Sequence, residues 1–567
     1  MKINSLKFFS VFLVSSAILA GCGGLGKMEK YIDELNAKVE PEPLIVQGDS
    51  VEITISGKFP PKYFHKKVTV AATPVLTYDG GETAYETDRY QGEAAAGNGT
   101  VVPYEAGASF SFNDKIAYDK AMEVSTLELR ISGTKGSKSA TFAPLVIGKG
   151  VITTPYLLQN DDRPIMSTDK FQRVLSANMD AVINYAYNMS NVRPSELTDT
   201  DIKAMNAFIA LCAESDSLVI KGSTVMAYAS PEGEILLNEN LADERAASAN
   251  AVVSKQVSKN KIEVDAASFY KNVPKGEDWD GFKDLMEKAD IEDAALILRV
   301  LEMYKDADKR EQEIKNIAKT YKEIEDEILP QLRRSQINIA YDVEGYTDEE
   351  LKVLAKSNPD ILTAEELLFA ATLFETLKDK MTIYGHAERM YPADYRGINN
   401  VGYCLFLQNK VDEARGQFEK AYAVNKAPEV ANNLAICARR AGDRDGAMDY
   451  FSNAAGAGTD VKYNKALVQV QNGNYSGAVS NMGTAATFNV ALAKLLNNDA
   501  GGAATAMSNS NDESAVAYYL RAVISARQGN GAEVLSNLNK AIELDSSLKA
   551  KAKRDLEFRD FSSQFTF

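Results

Sequence analysis

The chain has 567 residues, of which 63 are Lys or Arg and 79 are Asp or Glu, so its formal net charge at pH 7 is −16. A chain of this length should form several domains, because single hydrophobic cores stop growing at roughly 250–300 residues. The negative charge argues against a nucleic-acid partner, since a phosphate backbone would be repelled rather than neutralised.

The sequence offers few groups for catalysis or metal binding. Its two histidines, His65 and His386, are far apart, which argues against histidine-based acid–base chemistry and multi-histidine zinc sites. No nucleophile–base spacing and no Gly-Lys phosphate loop stand out. We therefore expect a protein that is not an enzyme and has no cofactor or metal, although a pair of catalytic carboxylates remains open from sequence alone.

The N-terminus has the pattern of an export signal. Early lysines precede a short apolar run over residues 8–14, which is too short to cross a hydrocarbon core of roughly 30 Å as a helix. Residues 19–22 read Leu-Ala-Gly-Cys, which resembles the lipobox of bacterial lipoproteins. The resemblance implies a signal peptide over 1–21 and acylation of Cys22, which would hold the mature chain at a membrane. An ordinary signal peptide with an incidental cysteine is the alternative.

Residues 22–43 are expected to form a tether, because glycines follow the cysteine and prolines near the end resist helix formation. A short helix around Lys27–Val39 is expected between the glycines and the prolines. A β-rich module is predicted over 44–160. Apolar and polar residues alternate in Val51–Ile55 and Leu127–Ile131, and turn signals separate such runs, which is typical of a β-sandwich. This module would serve either as a docking surface or as a spacer near the membrane.

Strand and helix patterns alternate over 171–343, which predicts an α/β domain. Several residues fall in the spacing of the OmpA-like domain, a family that typically binds peptidoglycan. The matching positions are 227–230, which read Ala-Tyr-Ala-Ser, then Gly233, Asn238, Leu241, Arg245 and Ala246. The resemblance implies an OmpA-like fold, interrupted here by a helical insertion at 278–330.

The same resemblance gives Ser230, Asn238 and Arg245 as candidate peptidoglycan-binding residues. In the family, an aspartate in the turn and an arginine on the next helix hold the ammonium and carboxylate of diaminopimelate. Arg245 keeps the guanidinium, which can bind a carboxylate with two parallel hydrogen bonds. Ser230 replaces the aspartate with a neutral group, so we expect weaker binding of an ammonium. A protein–protein module in which Arg245 only braces the turn is the other interpretation.

After a polar linker over 344–363, the chain is helical and repetitive over 364–556, with a first, capping helical pair. Small residues recur seven positions before and, in most repeats, five after each turn, and a large apolar residue recurs nine after. The turns lie at 409–410, 442–443, 473–474, 498–499 and 529–530. This pattern resembles tetratricopeptide repeats (TPR), whose unit has about 34 residues. The resemblance implies an α-solenoid that binds a peptide or partner protein in its groove.

Asn399, Asn400, Asn432 and Asn433 are candidate peptide-binding residues, because paired amides recur at one helix position and can bond to an extended backbone. Hydrogen bonding within the repeats is the alternative. The sequence as a whole predicts a non-enzymatic outer-membrane lipoprotein that acts as a protein-binding scaffold, with a peptidoglycan-binding anchor as the second possibility. We expect it on the periplasmic face, since no acidic cluster of the kind used for surface export follows Cys22.

Overall fold

The structure, a computed structural model, describes residues 24–567, without the side chains of residues 318–320. The predicted signal peptide and Cys22 lie outside the described residues. The chain divides into two compact units. The composite unit contains the chain up to Ser167 together with Lys380–Phe567, and the inserted unit is Thr168–Asp379. From Gly24 onward, no helix combines the length and the apolar character needed to span a bilayer.

The N-terminal part of the composite unit is β-rich. Its strands are β1 (Lys38–Glu40), β2 (Leu44–Gln47), β3 (Ser50–Phe59), β4 (Thr69–Tyr78), β5 (Gly81–Ala84), β6 (Asp88–Gly92), β7 (Thr100–Val102), β8 (Ala108–Ala117), β9 (Ser125–Lys135), β10 (Lys138–Thr141), β11 (Leu145–Lys149) and β12 (Val151–Ile152). One sheet has the order β1-β3-β2-β12 with β8 beside β3, and the other has the order β10-β9-β4-β6-β7. Ile53 from the first sheet and Leu76 and Leu127 from the second share one core, as alternation of apolar residues predicts.

Much of the predicted tether is instead packed into this β-rich module. Helix α1 (Leu25–Lys30) buries Leu25 and Met28, and the hydroxyl of Tyr63 donates to the Met28 carbonyl at 2.8 Å. Strand β1 pairs with β3 and buries Val39. The tether prediction is therefore wrong from Leu25 onward. Burial of apolar side chains at helical spacing stabilises this segment by more than the loss of conformational entropy destabilises it.

The inserted unit is built on a four-stranded sheet of order β13-β16-β14-β15. Its α/β part contains β13 (Val174–Asn184), α2 (Thr200–Glu214), β14 (Leu218–Ala229), α3 (Ile235–Lys259), α4 (Ala266–Phe269), β15 (Tyr270–Glu277) and β16 (Arg334–Glu344). Strand β14 runs parallel to β15 and antiparallel to β16. Ile209 of α2 and Val253 of α3 pack with Ile337 of β16 in the core. Strands thus alternate with helices, as the apolar periodicity predicts.

A helical insertion separates β15 from β16. It contains α5 (Trp279–Lys288), α6 (Ala294–Met303), α7 (Ala307–Asn316), α8 (Ala318–Glu323), a π-helical turn at Ile324–Ile328 and α9 (Leu329–Leu332). Phe282, Ile297 and Leu332 belong to a core that these helices share among themselves. The insertion therefore has its own apolar centre beside that of the sheet.

The predicted linker at 344–363 is also ordered. It contains α10 (Asp348–Ser357), whose first turn is closed by a capping box between Thr347 and Glu350. With α11 (Ala364–Thr372), it belongs to the inserted unit, while α12 (Leu377–Met390) begins there and continues into the composite unit. Stacking of Phe171 on Phe369, with ring centroids 4.6 Å apart, ties α11 to the start of the inserted unit. The boundary predicted near residue 363 is therefore wrong by about one helix.

Five helix pairs complete the composite unit. They are α13 (Tyr395–Leu407) with α14 (Val411–Val424), α15 (Pro428–Arg440) with α16 (Arg444–Asn453), α17 (Thr459–Gln471) with α18 (Tyr475–Met482), α19 (Phe488–Leu496) with α20 (Ala500–Asn509), and α21 (Ala515–Arg527) with α22 (Gly531–Leu544), followed by α23 (Leu548–Arg554). A Cβ added at Gly402 would lie 2.7 Å from the Phe418 ring, so close packing favours glycine at this position of the first repeat. The β-rich N-terminal region and the helical repeat region are confirmed.

Leu25→Ala is expected to destabilise the β-rich module by about 2–5 kcal/mol, because it leaves a cavity where the side chain packs against β9 at Gly133. Hydrogen-exchange mass spectrometry of the full chain measures this as faster exchange of β9 amides. Glu29→Ala, at an exposed position of the same helix, is the matched control and should leave that exchange unchanged. Equal exchange in both variants would mean that the first helix is not part of the core.

Candidate functional site

Asparagines occupy one equivalent position in four consecutive repeats. They are Asn400 on α13, Asn433 on α15, Asn464 on α17 and Asn489 on α19, and each lies nine residues before the turn of its repeat. All four side chains are buried. Because each repeat presents the same helix position to the same side, these amides form a row. We call the four residues the asparagine ladder, and the helix surface that carries them the repeat groove.

The asparagine ladder binds an extended segment of the chain itself, residues 159–167, which we call the strap. Every ladder residue makes the same pair of bonds: its Oδ1 accepts from a strap N–H and its Nδ2 donates to the carbonyl of the same strap residue. The donor–acceptor distances are 2.8 and 2.9 Å for Asn400 with Ser167, 2.7 and 2.7 Å for Asn433 with Ile165, 2.8 and 2.8 Å for Asn464 with Arg163, and 2.9 and 2.9 Å for Asn489 with Gln159. The strap therefore runs against the order of the repeats.

The spacing of these bonds follows from the geometry of an extended chain. Alternate residues of such a chain face the same side, about 6.7 Å apart. Ser167, Ile165 and Arg163 meet successive repeats at this interval, so each of these steps covers two strap residues, while the step from Arg163 to Gln159 covers four. The backbone groups that bind the ladder are present in every residue except proline, so this part of the recognition does not depend on sequence.

Asn399 and Asn432, the neighbours of the ladder, reinforce it. The Nδ2 of Asn399 lies 3.2 Å from the Ile165 carbonyl, and that of Asn432 lies 3.2 Å from the Arg163 carbonyl. The amides also bond to each other, with Asn433 donating to Asn399 at 2.9 Å. The four asparagines singled out in the sequence therefore contact both an extended backbone and the neighbouring repeats. Binding of a separate peptide by them stays a prediction.

Sequence reasoning missed Asn464 and Asn489. It looked for paired amides, whereas the residues that precede these two are Tyr463 and Phe488. Both lie nine positions before a turn of the repeats, as Asn400 and Asn433 do, and this shared position is the signal that identifies them. The strap itself carries no such signal, because it has no regular secondary structure and lies at the edge of two predicted domains.

The strap also places a carboxylate inside the repeats. Asp162 forms an ion pair with Arg439, and the two side chains are 0% and 1% exposed. Arg440 lies 3.5 Å from the same carboxylate, and Arg439 also donates to Asn160 at 2.9 Å. Removing one member of a buried pair costs about 3–5 kcal/mol, because the other charge is left uncompensated. The repeats therefore recognise Asp162 through a buried contact between opposite charges.

The residues on either side of Asp162 are also bound through their side chains. Asp161 accepts hydrogen bonds from the Tyr463 hydroxyl and from Asn489 Nδ2, the latter at 2.6 Å. Burial raises the pKa of the Asp161 carboxyl above its usual value in spite of these donors. The guanidinium of Arg163 lies over the Tyr463 ring, 3.7 Å from its centroid, and pairs with Asp460 at 3.0 Å. The repeats thus contact two acidic side chains followed by a basic one, at positions 161–163.

The chain just before the strap joins the β-rich module to the repeats. Leu157 and Leu158 pack against the apolar core of the last repeats, and the Thr154 hydroxyl donates to Glu557 at 2.6 Å. A second contact connects Asp49 with Arg444 at 2.6 Å. These contacts explain why the β-rich module and the repeats form one unit although the inserted unit separates them in sequence.

The candidate peptidoglycan-binding residues lie in the inserted unit, around the turn after β14. Arg245 is 1% exposed; its Nε donates to the Met189 carbonyl at 3.0 Å and its Nη1 to the Tyr228 carbonyl at 2.8 Å. Burial lowers the pKa of this guanidinium to about 10. Two of the nitrogens that a ligand carboxylate would use are therefore bound to the backbone.

A carboxylate of the chain occupies the rest of this turn. Glu232 pairs with Arg333 at 2.7 Å, with both side chains about nine-tenths buried, and accepts from the Ser230 hydroxyl at 2.6 Å. Asn238 donates to the Glu232 carbonyl and to Glu277. Ser230, Asn238 and Arg245 thus lie close together, each bound to another part of the inserted unit, and peptidoglycan binding by them stays a prediction.

The cysteine thiols and the possible metal ligands were the remaining candidates for chemistry. Cys212, Cys404 and Cys437 are free and buried. Burial raises the pKa of the Cys404 thiol to about 11 and that of Cys437 to about 12, which disfavours the nucleophilic thiolate. Within residues 24–567, no group of three or more His, Cys, Asp or Glu is placed to hold a metal ion.

No protein-family model matches the chain, and no curated protein matches it. Among solved structures, a tetratricopeptide repeat protein from Parabacteroides merdae is 14% identical, with 37% of this chain and 91% of that chain covered and a TM-score of 0.28. YrrB, a TPR protein with an unusual peptide-binding site, is 18% identical, with 36% and 99% covered and a TM-score of 0.22. PilW, a type IV pilus biogenesis factor, is 15% identical, with 38% and 97% covered and a TM-score of 0.26. Nothing about function follows from likenesses at this level.

Arg333→Met is expected to destabilise the inserted unit by about 3–5 kcal/mol, because Glu232 then stays buried without its cation. Trp279, the only tryptophan of the chain, lies in the inserted unit and reports its urea unfolding by fluorescence. Glu232→Gln combined with Arg333→Met removes both charges and should recover a large part of the loss. An equal loss in the single and double variants would contradict a coupled ion pair.

The matched control for this experiment is Lys283→Met. Lys283 pairs with Glu287 at 3.8 Å on an exposed helix face of the same unit. Exposed pairs contribute about 0–1 kcal/mol, so this variant should unfold close to the wild-type urea concentration.

Proposed function

We propose that this chain is a non-enzymatic scaffold of the bacterial cell envelope that binds a partner protein through its TPR-like repeats. The observation that carries the proposal is the asparagine ladder, which holds an extended backbone through eight hydrogen bonds. A surface that binds one peptide through its main chain is suited to others, because main-chain bonds supply affinity and side chains supply selectivity.

We further propose that acyl chains on Cys22 anchor the scaffold to the outer membrane, on the periplasmic face. The lipobox-like sequence supports this anchoring. Since Leu25 is already packed in the β-rich module, three residue steps separate the acylated cysteine from that module. An extended chain spans at most about 3.6 Å per residue. The β-rich module would therefore lie within about 11 Å of the lipid attachment point, at the membrane rather than on a long tether.

For the inserted unit, we propose an OmpA-like fold that serves as a protein–protein module. The alternation of strands and helices and the sequence match around Arg245 support the fold. The bonds from Arg245 to two backbone carbonyls support a bracing role for this side chain. The ion pair between Glu232 and Arg333 favours the same interpretation, because the turn already holds a carboxylate.

Photo-crosslinking in intact cells tests the scaffold. A photoreactive residue replacing Tyr403, one helical turn after Asn400, should give an adduct with a single envelope protein. The same substitution at Lys138, an exposed position of β10 in the β-rich module, is the matched control and should not give that adduct. Adducts from position 138 alone, or from neither position, would argue against partner binding through the repeats.

Cys22→Ser is expected to abolish acylation, because a hydroxyl does not take the thioether-linked glyceride. Metabolic labelling with an alkyne-tagged fatty acid measures this directly, as loss of label from the purified protein. Cys212→Ala removes a buried thiol elsewhere and should keep the full label. A labelled Cys22→Ser protein would refute the proposed anchor.

A further inference from the structure

We propose that the strap is the resident ligand of the repeat groove, and that an external partner peptide with the same acidic, acidic, basic pattern competes with it for the asparagine ladder. This inference rests on the proposed partner binding by the repeats and names the chemistry of that partner. It makes the affinity of the groove for any partner depend on how firmly the strap is held.

The contacts of the strap are those of a bound peptide rather than of a connecting loop. Connecting segments usually run over the surface and bond to water. Gln159–Ser167 instead uses the N–H and the carbonyl of four residues on one row of side chains, and it buries Asp162 against Arg439. A chain that only had to cross from one domain to the next would need none of these pairs.

The side chains at 161–163 define the partner's chemistry. The first position faces a hydroxyl and an amide donor, from Tyr463 and Asn489. The second faces two guanidinium groups, of which Arg439 is buried. Asp460 pairs with Arg163 at the third position. Because a buried guanidinium strongly disfavours a neutral or basic side chain opposite it, the second position must be acidic.

Competition has a quantitative consequence. A tethered segment acts at an effective concentration in the millimolar range. The apparent association constant of a free peptide is the intrinsic association constant multiplied by the fraction of molecules whose groove is open. Changes that loosen the strap should therefore strengthen binding of an added peptide, while changes in the ladder should weaken it. A permanent structural brace would give no binding in either case.

Two strap variants loosen the segment without touching the ladder. Asp162→Ala removes the carboxylate that pairs with Arg439, and an added peptide can supply that carboxylate in its place. Ile165→Pro keeps Asp162 but removes the N–H that donates to Asn433. The two act through different bonds, so the second serves if the first impairs folding as judged by circular dichroism. Asp169→Ala, outside the strap, is the matched control.

The test is fluorescence anisotropy with a labelled peptide of residues 158–168 added to the full-length chain. We expect the peptide to bind each loosened variant roughly tenfold or more tighter than it binds the wild type or Asp169→Ala. Adding Asn433→Ala and Asn464→Ala to the Asp162→Ala chain should reverse this gain. A peptide carrying alanine at the position of Asp162 should bind every variant more weakly than the native peptide does.

Hydrogen-exchange mass spectrometry of the strap amides completes the test. Unchanged peptide affinity would overturn competition, whether strap exchange becomes faster or stays at the wild-type rate in the loosened variants. The proposed function fails separately. If the loosened variants bind the added peptide more tightly but no partner is crosslinked in cells, competition for the groove stands and the scaffold role is refuted. If a partner is crosslinked in cells but the peptide affinity is unchanged, only the competition is refuted.

Discussion

The composite unit depends on one interaction, the pairing of asparagine amides with the main chain of the strap. Buried backbone groups need partners, and an isolated extended segment has none of its own. Asn400, Asn433, Asn464 and Asn489 supply these partners in the form that a neighbouring strand would supply in a sheet. This allows a segment without secondary structure to lie against helices, and it joins the β-rich N-terminal module to the C-terminal repeats.

Two buried ion pairs add selectivity to the fold. Asp162 with Arg439 favours one register of the strap, because a shift by one residue in one direction would place Arg163 opposite the guanidinium. A shift in either direction would also turn the backbone groups of alternate strap residues away from the ladder. The ion pair of Glu232 with Arg333 likewise favours one conformation of the turn after β14 in the inserted unit. Buried pairs contribute little net stability compared with apolar residues, but breaking one is costly, so they favour one arrangement over its alternatives. In both places the buried guanidinium is paired with a carboxylate of the chain itself.

Several elements could be predicted from local sequence. The repeats were found because small residues, turns and large residues recur at fixed distances, and each repeat contacts mainly its neighbours. Strands of the β-rich module follow from alternation. The tether failed as a prediction because the local sequence does not show that Leu25 and Met28 pack against the β-rich module, and their burial decides where the segment lies. The boundary near residue 363 failed because α11 was grouped with the helices that follow it, whereas the contact of Phe171 with Phe369 places it in the inserted unit.

The sequence by itself determined the types of element, the positions of the turns and the amides at Asn399, Asn400, Asn432 and Asn433. The tertiary structure alone decided what those amides bind. Asn433 and Ile165 are 268 residues apart in the chain, and no local pattern of polarity, charge or period encodes a contact over that separation. The same holds for Arg245, whose sequence match suggests an open guanidinium, whereas packing against Met189 and Tyr228 leaves it buried and bound to the backbone.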